Sequence, residues 1–247
     1  MICVSKAVRR VSGLMAAALL CAVGAPMLFG TGRSALRLAP PAGGGVFRAE
    51  KGKFRDMVDG KQVGSEQYEI SSDGGEWVAR GEAEVKAAKG PSTHITSLLR
   101  MTPDGAPIHY EWTTTTGDKK ATSSIDFSNG TASIQLVVNG GKPFTQQFLF
   151  KTPIVVILDD NMYHQYAILA RIYDWNKKGQ QTFPVLIPQE MTPGTITVQA
   201  EDPEDVDGKS MQRLRVHTAD LDLTLYLDKD RLYRITVPSS DAEIDRE

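Results

Sequence analysis

Cysteine is almost absent from this chain. Only Cys3 and Cys21 occur among 247 residues, and both lie within the first 30. We expect those 30 residues to be removed, which would leave a mature chain with no thiol, no disulfide and no cysteine-based metal site. A lipid anchor on Cys21 is disfavoured, because the bulky Leu20 precedes it where a lipoprotein signal requires a small residue.

Short catalytic motifs are also missing. The sequence contains no Gly-x-Ser-x-Gly elbow, no glycine-rich phosphate loop and no His-Glu-x-x-His run. Its four histidines are isolated from one another in sequence. These absences favour a non-enzymatic protein that uses no cofactor.

Three polar groupings remain as candidate sites. His109 and Glu111 share a face of a predicted strand, but no third metal ligand lies nearby, so the pattern favours a polar outer face. Asp159 and Asp160 could form an acid/base pair, although carboxylates at the start of a helix are more typical of caps. Residues 201–207 hold five acids without the glycine and terminal glutamate of an EF-hand loop, which predicts an acidic hairpin tip rather than a calcium site.

Long apolar runs are lacking except at the N-terminus. Lys6, Arg9 and Arg10 precede an uncharged run over residues 11–30, which has the outline of a secretory signal peptide. We therefore expect residues 1–30 to be a leader and the protein to be periplasmic or otherwise exported. If the leader is not cleaved, residues 11–30 would anchor the protein in a membrane.

Excess positive charge is lacking as well. The net charge is −2, and loss of the three basic leader residues would bring it to about −5. A mildly acidic surface disfavours polyanions, so nucleic acid is excluded as a partner. The segment 31–45 follows the leader and has several glycines and prolines without hydrophobic periodicity, which predicts a flexible linker.

Strand patterns fill almost all of the remaining chain, which predicts a single β-rich domain over residues 46–247. Asp59-Gly60 and Ser128-Asn129-Gly130 are typical hairpin turns between alternating apolar and polar runs. About a dozen strands must curl to hide an apolar face and its edges, so we expect a large curved antiparallel meander or half-barrel. The predicted strands are 47–58, 62–70, 77–85, 93–101, 108–115, 122–127, 131–138, 143–150, 182–187, 195–201, 211–217, 221–227 and 232–237.

One stretch has helical periodicity, and it predicts one long helix over residues 160–176. Met162, Tyr166, Leu169 and Tyr173 recur at helical spacing and form an apolar stripe. We expect this stripe to pack on the concave face of the sheet. On this prediction His164, Gln165 and Arg171 lie on the opposite, solvated side of the helix. Asp159, Asp160 and Asn161 are the expected N-terminal caps, and Lys177, Lys178 and Gly179 mark the expected stop.

Two hairpins carry a family resemblance. The first runs from Phe54 to Gly64 and the second from Leu225 to Ile235. Together with the leader, they resemble exported bacterial β-proteins of the DUF3108-like kind, and more loosely the half-barrels of the lipoprotein carriers LolA and LolB. The likeness to the carriers implies an open apolar groove that holds acyl chains, and the resemblance brings no catalytic residues to this chain.

The functional hypothesis is the binding or carriage of an apolar ligand or lipid in a concavity beneath the helix. Aromatic side chains with a polar tip suit such a wall, because each offers apolar area and one hydrogen bond. The alternative hypothesis is an interaction or structural module of the cell envelope, with a fully packed core and a protein partner. The predicted ligand-binding residues are Tyr163, Tyr166, Ala170, Tyr173 and Trp112.

Overall fold

One sheet dominates the structure. The computed structural model describes residues 46–218 and 221–247, and in those ranges fifteen strands form a single sheet. The predicted leader (1–30) and linker (31–45) lie outside the described residues. The strands are β1 (Glu50–Val58), β2 (Lys61–Asp73), β3 (Glu76–Val85), β4 (Thr93–Met101), β5 (Pro107–Thr116), β6 (Lys119–Ser128), β7 (Thr131–Val138), β8 (Phe144–Leu149), β9 (Val156–Ile157), β10 (Gln180–Ile187), β11 (Thr192–Val206), β12 (Lys209–His217), β13 (Asp222–Asp228), β14 (Arg231–Val237) and β15 (Ala242–Arg246).

The predicted turn chemistry is confirmed at several hairpins. Asp59 and Gly60 between β1 and β2 both have positive φ, as do Asn129 and Gly130 between β6 and β7. Two consecutive residues with positive φ form the tight turn whose twist matches that of a hairpin, and Asp, Asn and Gly tolerate this conformation best.

The strand order divides the sheet into two meanders. From the middle of the sheet, β1 to β8 run outward to one edge, and β10 to β15 return from the other edge to the middle. The first and last strands meet there, with Phe54 opposite Arg246. Neighbours are antiparallel except for β9, which is parallel to β10. The sheet is open, with β8 and β9 as its edges, so the prediction of a mainly β meander or half-barrel is confirmed.

Alternation along the strands decides which face is buried. In β13, Leu223, Leu225 and Leu227 are buried, while the intervening Thr224 and Tyr226 are half-buried. Because successive side chains point to opposite faces, one face of the sheet carries the core. We call the face of Leu223, Leu225 and Leu227 the inner face, and the opposite face the outer face.

One α-helix, α1 (His164–Ile172), lies on the inner face in the described part of the chain. It is shorter than the predicted helix over 160–176, because β9 and an irregular segment precede it and the backbone becomes extended at Tyr173. Its N-cap residue is Tyr163, which makes no side-chain capping bond, so the prediction of an aspartate or asparagine cap is wrong. No helix in the described ranges is long and apolar enough to cross a membrane.

Both sides of α1 are buried. Its predicted stripe is in the core, with Leu169 fully buried and Tyr173 2% exposed. The side predicted to face solvent is buried too: His164 is 0%, Gln165 1% and Arg171 8% exposed. The prediction of a solvated side was wrong because the curved sheet and the segments around α1 enclose it, and strand carboxylates meet its polar groups.

The sequence patterns missed two strands and placed one turn incorrectly. The short β9 lies just before the predicted helix, and β15 follows the last predicted strand. Of the acidic residues 201–207, only Asp207 lies in the turn that joins β11 to β12, because β11 continues to Val206 with a register shift between Glu201 and Glu204. Arg213 on β12 contacts both of these glutamates, which offsets their mutual repulsion along the strand.

Candidate functional site

A carboxylate on β2 holds the start of α1. Glu66 Oε2 accepts the backbone N–H of His164 at 2.9 Å, and Glu66 Oε1 lies 2.5 Å from His164 Nδ1. Both side chains are fully buried. The first N–H groups of a helix have no partner within it and carry partial positive charge, so a carboxylate there is stabilising. Glu66 therefore replaces the local cap that the sequence predicted.

The imidazole of His164 fits because the adjacent strand lacks a side chain. A Cβ added to Gly81 on β3 would lie 2.6 Å from His164 Cε1. The ring of Tyr68 stacks on the imidazole with 5.8 Å between centroids and 16° between planes. His164 Nε2 is buried and has no hydrogen-bond partner within residues 46–218 and 221–247. Glu66 and Tyr68 thus fix the position of the imidazole, and only its Nδ1 takes part in a hydrogen bond among the described residues.

A second carboxylate ties α1 to the middle of the sheet. Glu50 on β1 pairs with Arg171 of α1, and its Oε1 lies 2.5 Å from Arg246 Nη1 of β15. Tyr68 donates its O–H to Glu50 Oε1 at 2.6 Å. Burial lowers the pKa of Arg171 to about 10, which leaves it charged at neutral pH. The cluster therefore links the helix to the strands where the two meanders meet.

Asp159 connects the segment before α1 to β5. Tyr110 donates its O–H to Asp159 Oδ2 at 2.5 Å, and the backbone N–H of Gln189 donates to Oδ1 at 2.9 Å. Gln165 accepts the Asp159 N–H at 2.6 Å and donates to the Tyr110 oxygen at 3.1 Å. Burial raises the pKa of Asp159 to about 7, although both bonds to its carboxylate oppose the shift. Because the chain's own donors occupy both oxygens, the geometry favours a structural role over acid/base catalysis.

The five predicted ligand-binding residues are all buried in the core: Tyr163, Tyr166, Ala170, Tyr173 and Trp112. Two of the hydroxyls bond within the chain, Tyr163 to Asp56 Oδ2 at 2.8 Å and Tyr173 to the Gly179 carbonyl at 2.6 Å. Trp112 differs, because its Nε1 is buried and has no hydrogen-bond partner in the described residues. A ligand role for these five residues stays a prediction.

Trp112 lies on a row of residues that ends at the free edge of the sheet. Across β5 to β8, the paired inner-face residues are Trp112, Ser123, Leu136 and Phe144. Ser123 Oγ is buried and, like Trp112 Nε1, has no hydrogen-bond partner in the part of the chain that the structure describes. Leu136 is half-buried, and Phe144 is 55% exposed. The row thus runs from a buried polar end to an open apolar end.

Exposed apolar side chains concentrate at this edge. In the described residues, three of the four exposed large hydrophobics are Val138, Phe144 and Leu149. Val138 and Phe144 belong to the inner face, beside the half-buried Leu136 and Phe148, whereas Leu149 lies on the outer face. We call Leu136, Val138, Phe144 and Phe148 the inner edge patch.

A polar cluster on the outer face contains the predicted pair His109 and Glu111. His109 Nε2 lies 3.0 Å from Glu111 Oε1, and its Nδ1 lies 2.7 Å from Asp126 Oδ1 of β6. Burial lowers the pKa of His109, but the two carboxylates raise it more, so the net shift is upward. No group of three or more His, Cys, Asp and Glu side chains in the described residues has a geometry suited to a metal ion.

A surface depression of about 570 Å³ also lies on the outer face, away from the predicted pocket beneath the helix. It extends over the backbones of Gly52 and Gly81, and exposed residues such as Arg80, Glu82 and Glu111 surround it. On the inner side of these glycines, Tyr68 and His164 fill the space.

Sequence reasoning missed the buried carboxylates of the strands. Glu50, Asp56 and Glu66 are each no more than 5% exposed, and none was singled out. A signal was present, because Glu66 alternates in phase with Tyr68 and Ile70 and therefore belongs to the inner face. A charged residue at an inward position predicts a buried partner.

Comparison with known proteins shows the fold. No family model matches the chain, and no curated protein matches it in sequence. A crystal structure of a β-barrel-like protein of the domain of unknown function DUF1849, from Brucella abortus, is similar with a TM-score of 0.55 and 10% identity, covering 81% of this chain and 94% of that one. A DUF1089 family protein from Pseudomonas aeruginosa has a TM-score of 0.45 and 10% identity, with 79% and 94% covered.

These likenesses do not include the DUF3108-like proteins or the lipoprotein carriers, so those two resemblances stay predictions. At 10% identity, the DUF1849 structure says nothing about ligand or activity. This chain is therefore similar in fold to a β-barrel-like protein of unknown function.

Proposed function

We propose that this chain is an exported, non-enzymatic β-protein that binds an apolar ligand, such as the acyl chain of a lipid, on the inner face at the β8 end of the sheet. Export, to the periplasm or beyond, rests on the leader pattern of residues 1–30. We place the ligand at this end of the sheet and not directly beneath α1, because core side chains occupy the space beneath the helix.

The observation that carries the proposal is the inner edge patch. Val138 is 52% and Phe144 55% exposed, although both belong to the face that is buried elsewhere. Leu136 and Phe148 extend the patch toward the core. Contiguous apolar surface that stays uncovered in a folded chain is typical of a binding site, since its exposure to water costs free energy.

The row from Phe144 to Trp112 supports a ligand with one polar end. An acyl chain lying over Phe144 and Leu136 would point its end group toward Ser123 and Trp112, whose Oγ and Nε1 have no partner among the described residues. Buried polar groups nearly always have a hydrogen-bond partner, so an unpaired donor is a reason to expect water or a ligand. An acceptor such as a carboxylate or an ester carbonyl suits both groups.

The test is binding of a fluorescent fatty acid together with native mass spectrometry of the chain purified from bacteria. We expect a retained lipid mass in the native spectrum. Phe144→Ser should weaken fatty-acid binding about tenfold or more, because it removes roughly 2 kcal/mol of apolar contact. Leu149→Ser is the matched control, since Leu149 lies on the same strand but on the outer face and is 85% exposed.

A bare mass together with no fatty-acid binding would end the proposal. Equal loss of binding in the Phe144 and Leu149 variants would also contradict it, because only Phe144 belongs to the inner edge patch. Trp112 fluorescence offers a second readout, and a ligand that reaches Ser123 should change the emission of this neighbouring indole.

The second candidate is an envelope interaction module with a packed core. The observation in its favour is that α1 is enclosed on all sides and that strand residues bond most of its polar groups. A packed core removes the need for a ligand, and the protein would then act through its surface. Co-purification of a stoichiometric envelope protein, with no lipid retained, would favour this candidate.

A further inference from the structure

The edge strand β8 presents unpaired backbone groups. It pairs with β7 on one side, and in the described residues no strand lies on its other side. Phe150 donates its N–H toward the β7 side, to the Gly130 carbonyl at 2.7 Å. Because this direction alternates along an antiparallel strand, the N–H and C=O groups of Thr145, Gln147 and Leu149 point away from β7.

This edge lacks the features that usually prevent edge-to-edge pairing. Residues 144–149 contain no charge and no proline, and the register between β7 and β8 is unbroken. Lys142 is the only charged residue from 131 to 150. Natural proteins protect an exposed edge with charges, prolines, bulges or very short strands. The opposite edge follows that rule, because β9 has only two residues and both are buried.

We propose that β8 pairs in antiparallel fashion with β8 of a second copy of this chain, forming a two-fold symmetric dimer. An axis through Gln146 would place Phe144 opposite Phe148 of the partner subunit and Thr145 opposite Gln147 of the partner subunit. Residues opposite each other in an antiparallel pair share a face, so this register matches aromatic with aromatic and polar with polar.

A second copy fits this edge better than a charged partner does. The β7–β8 hairpin is uncharged apart from Lys142, so it offers no charge for a partner to recognise and causes little repulsion when two copies meet. Because a two-fold contact uses the same surface twice, it covers the open edges of both copies at once. Backbone bonds would supply affinity, and the exposed apolar side chains would supply buried area.

Sedimentation of the purified chain over a range of concentrations tests the dimer. The variant Thr145→Lys/Gln147→Lys places like charges directly opposite each other across the two-fold contact. We expect its dimer dissociation constant to rise at least about tenfold, since each substitution counts twice in a symmetric interface. The control Gln67→Lys/Gln199→Lys makes the same charge change at exposed outer-face positions on the interior strands β2 and β11, which are distant from β8, and it should leave the constant unchanged.

A wild-type chain that stays monomeric up to about 100 μM would overturn the proposal, because a specific dimer is expected to bind more tightly than that. A dimer that the edge variant leaves intact would overturn it as well. If the edge variant fails to fold, hydrogen exchange in the wild type decides: the amides of Thr145, Gln147 and Leu149 should gain protection as the protein concentration rises. These measurements do not involve lipid, so their outcome is separate from that of the ligand proposal.

Discussion

Glu66 and His164 contact each other at two points, through the backbone N–H and through the imidazole, although 98 residues separate them in sequence. The pair joins the second strand to the first residue of the helix. A helix of nine residues is marginal by itself, so such tertiary bonds determine where it starts.

Glu66→Ala should lower the free energy of unfolding by about 3–5 kcal/mol, because it leaves the helix N–H and the imidazole buried without their partner. Urea denaturation followed by circular dichroism measures this. Glu69→Ala is the control on the same strand: its ion pair with Lys51 is exposed, so the loss should stay below about 1 kcal/mol. Equal losses in the two variants would contradict the assigned role of Glu66.

Gly81→Ala should destabilise the fold by about 1–3 kcal/mol, because the new Cβ would meet the His164 ring at 2.6 Å. Gly194→Ala is the comparison, since a Cβ there has only an ordinary 3.4 Å contact with Val185. This second change should be neutral or slightly stabilising through its effect on the unfolded chain. Thermal unfolding of both variants separates the steric effect from the general effect of removing a strand glycine.

Asp159 should make stability depend on pH between about 4 and 7. Burial raises its folded-state pKa to about 7, so the folded state binds the proton more tightly than the unfolded state does. The contribution of the protonated Asp159 to the free energy of unfolding is complete below the unfolded-state pKa. It is lost as the pH rises toward 7, and the total loss is up to about 4 kcal/mol. Burial also raises the pKa values of Asp160 and Glu190, which adds to the same trend.

Denaturation of wild type and Asp159→Asn across this pH range checks the assignment. The substitution should flatten the decline in stability, since the amide has no proton to lose. If stability declines with the same slope in the variant, other carboxyl groups are responsible for the pH dependence.

Leu169→Ala should lower the free energy of unfolding by about 2–5 kcal/mol, because Leu169 is fully buried on the side of α1 predicted to pack on the sheet. Leu149→Ala removes the same atoms from a side chain that is 85% exposed, and it should change stability by less than about 0.5 kcal/mol. Chemical denaturation of both variants gives the difference directly.

Much of the sheet could be predicted because the sequence signals that specify each hairpin lie close together in the chain. Alternation and the Asp-Gly and Asn-Gly turns identify each hairpin within about ten residues, and thirteen of the fifteen strands overlap their predictions. The short β9 was missed because Val156 and Ile157 adjoin a helical pattern, and two residues are too few to show an alternation. The row from Trp112 to Phe144 could not be predicted, since it depends on the register of four strands.

The sequence by itself determined that this chain is a β-protein with one amphipathic helix, because hydrophobic period and turn residues act over a few neighbours. Only the tertiary structure decided that the polar side of the helix is buried. That outcome depends on Glu50 and Glu66, which lie about a hundred residues or more before their partners Arg171 and His164. Burying a charge is costly unless a partner meets it, and only the folded sheet brings these partners together.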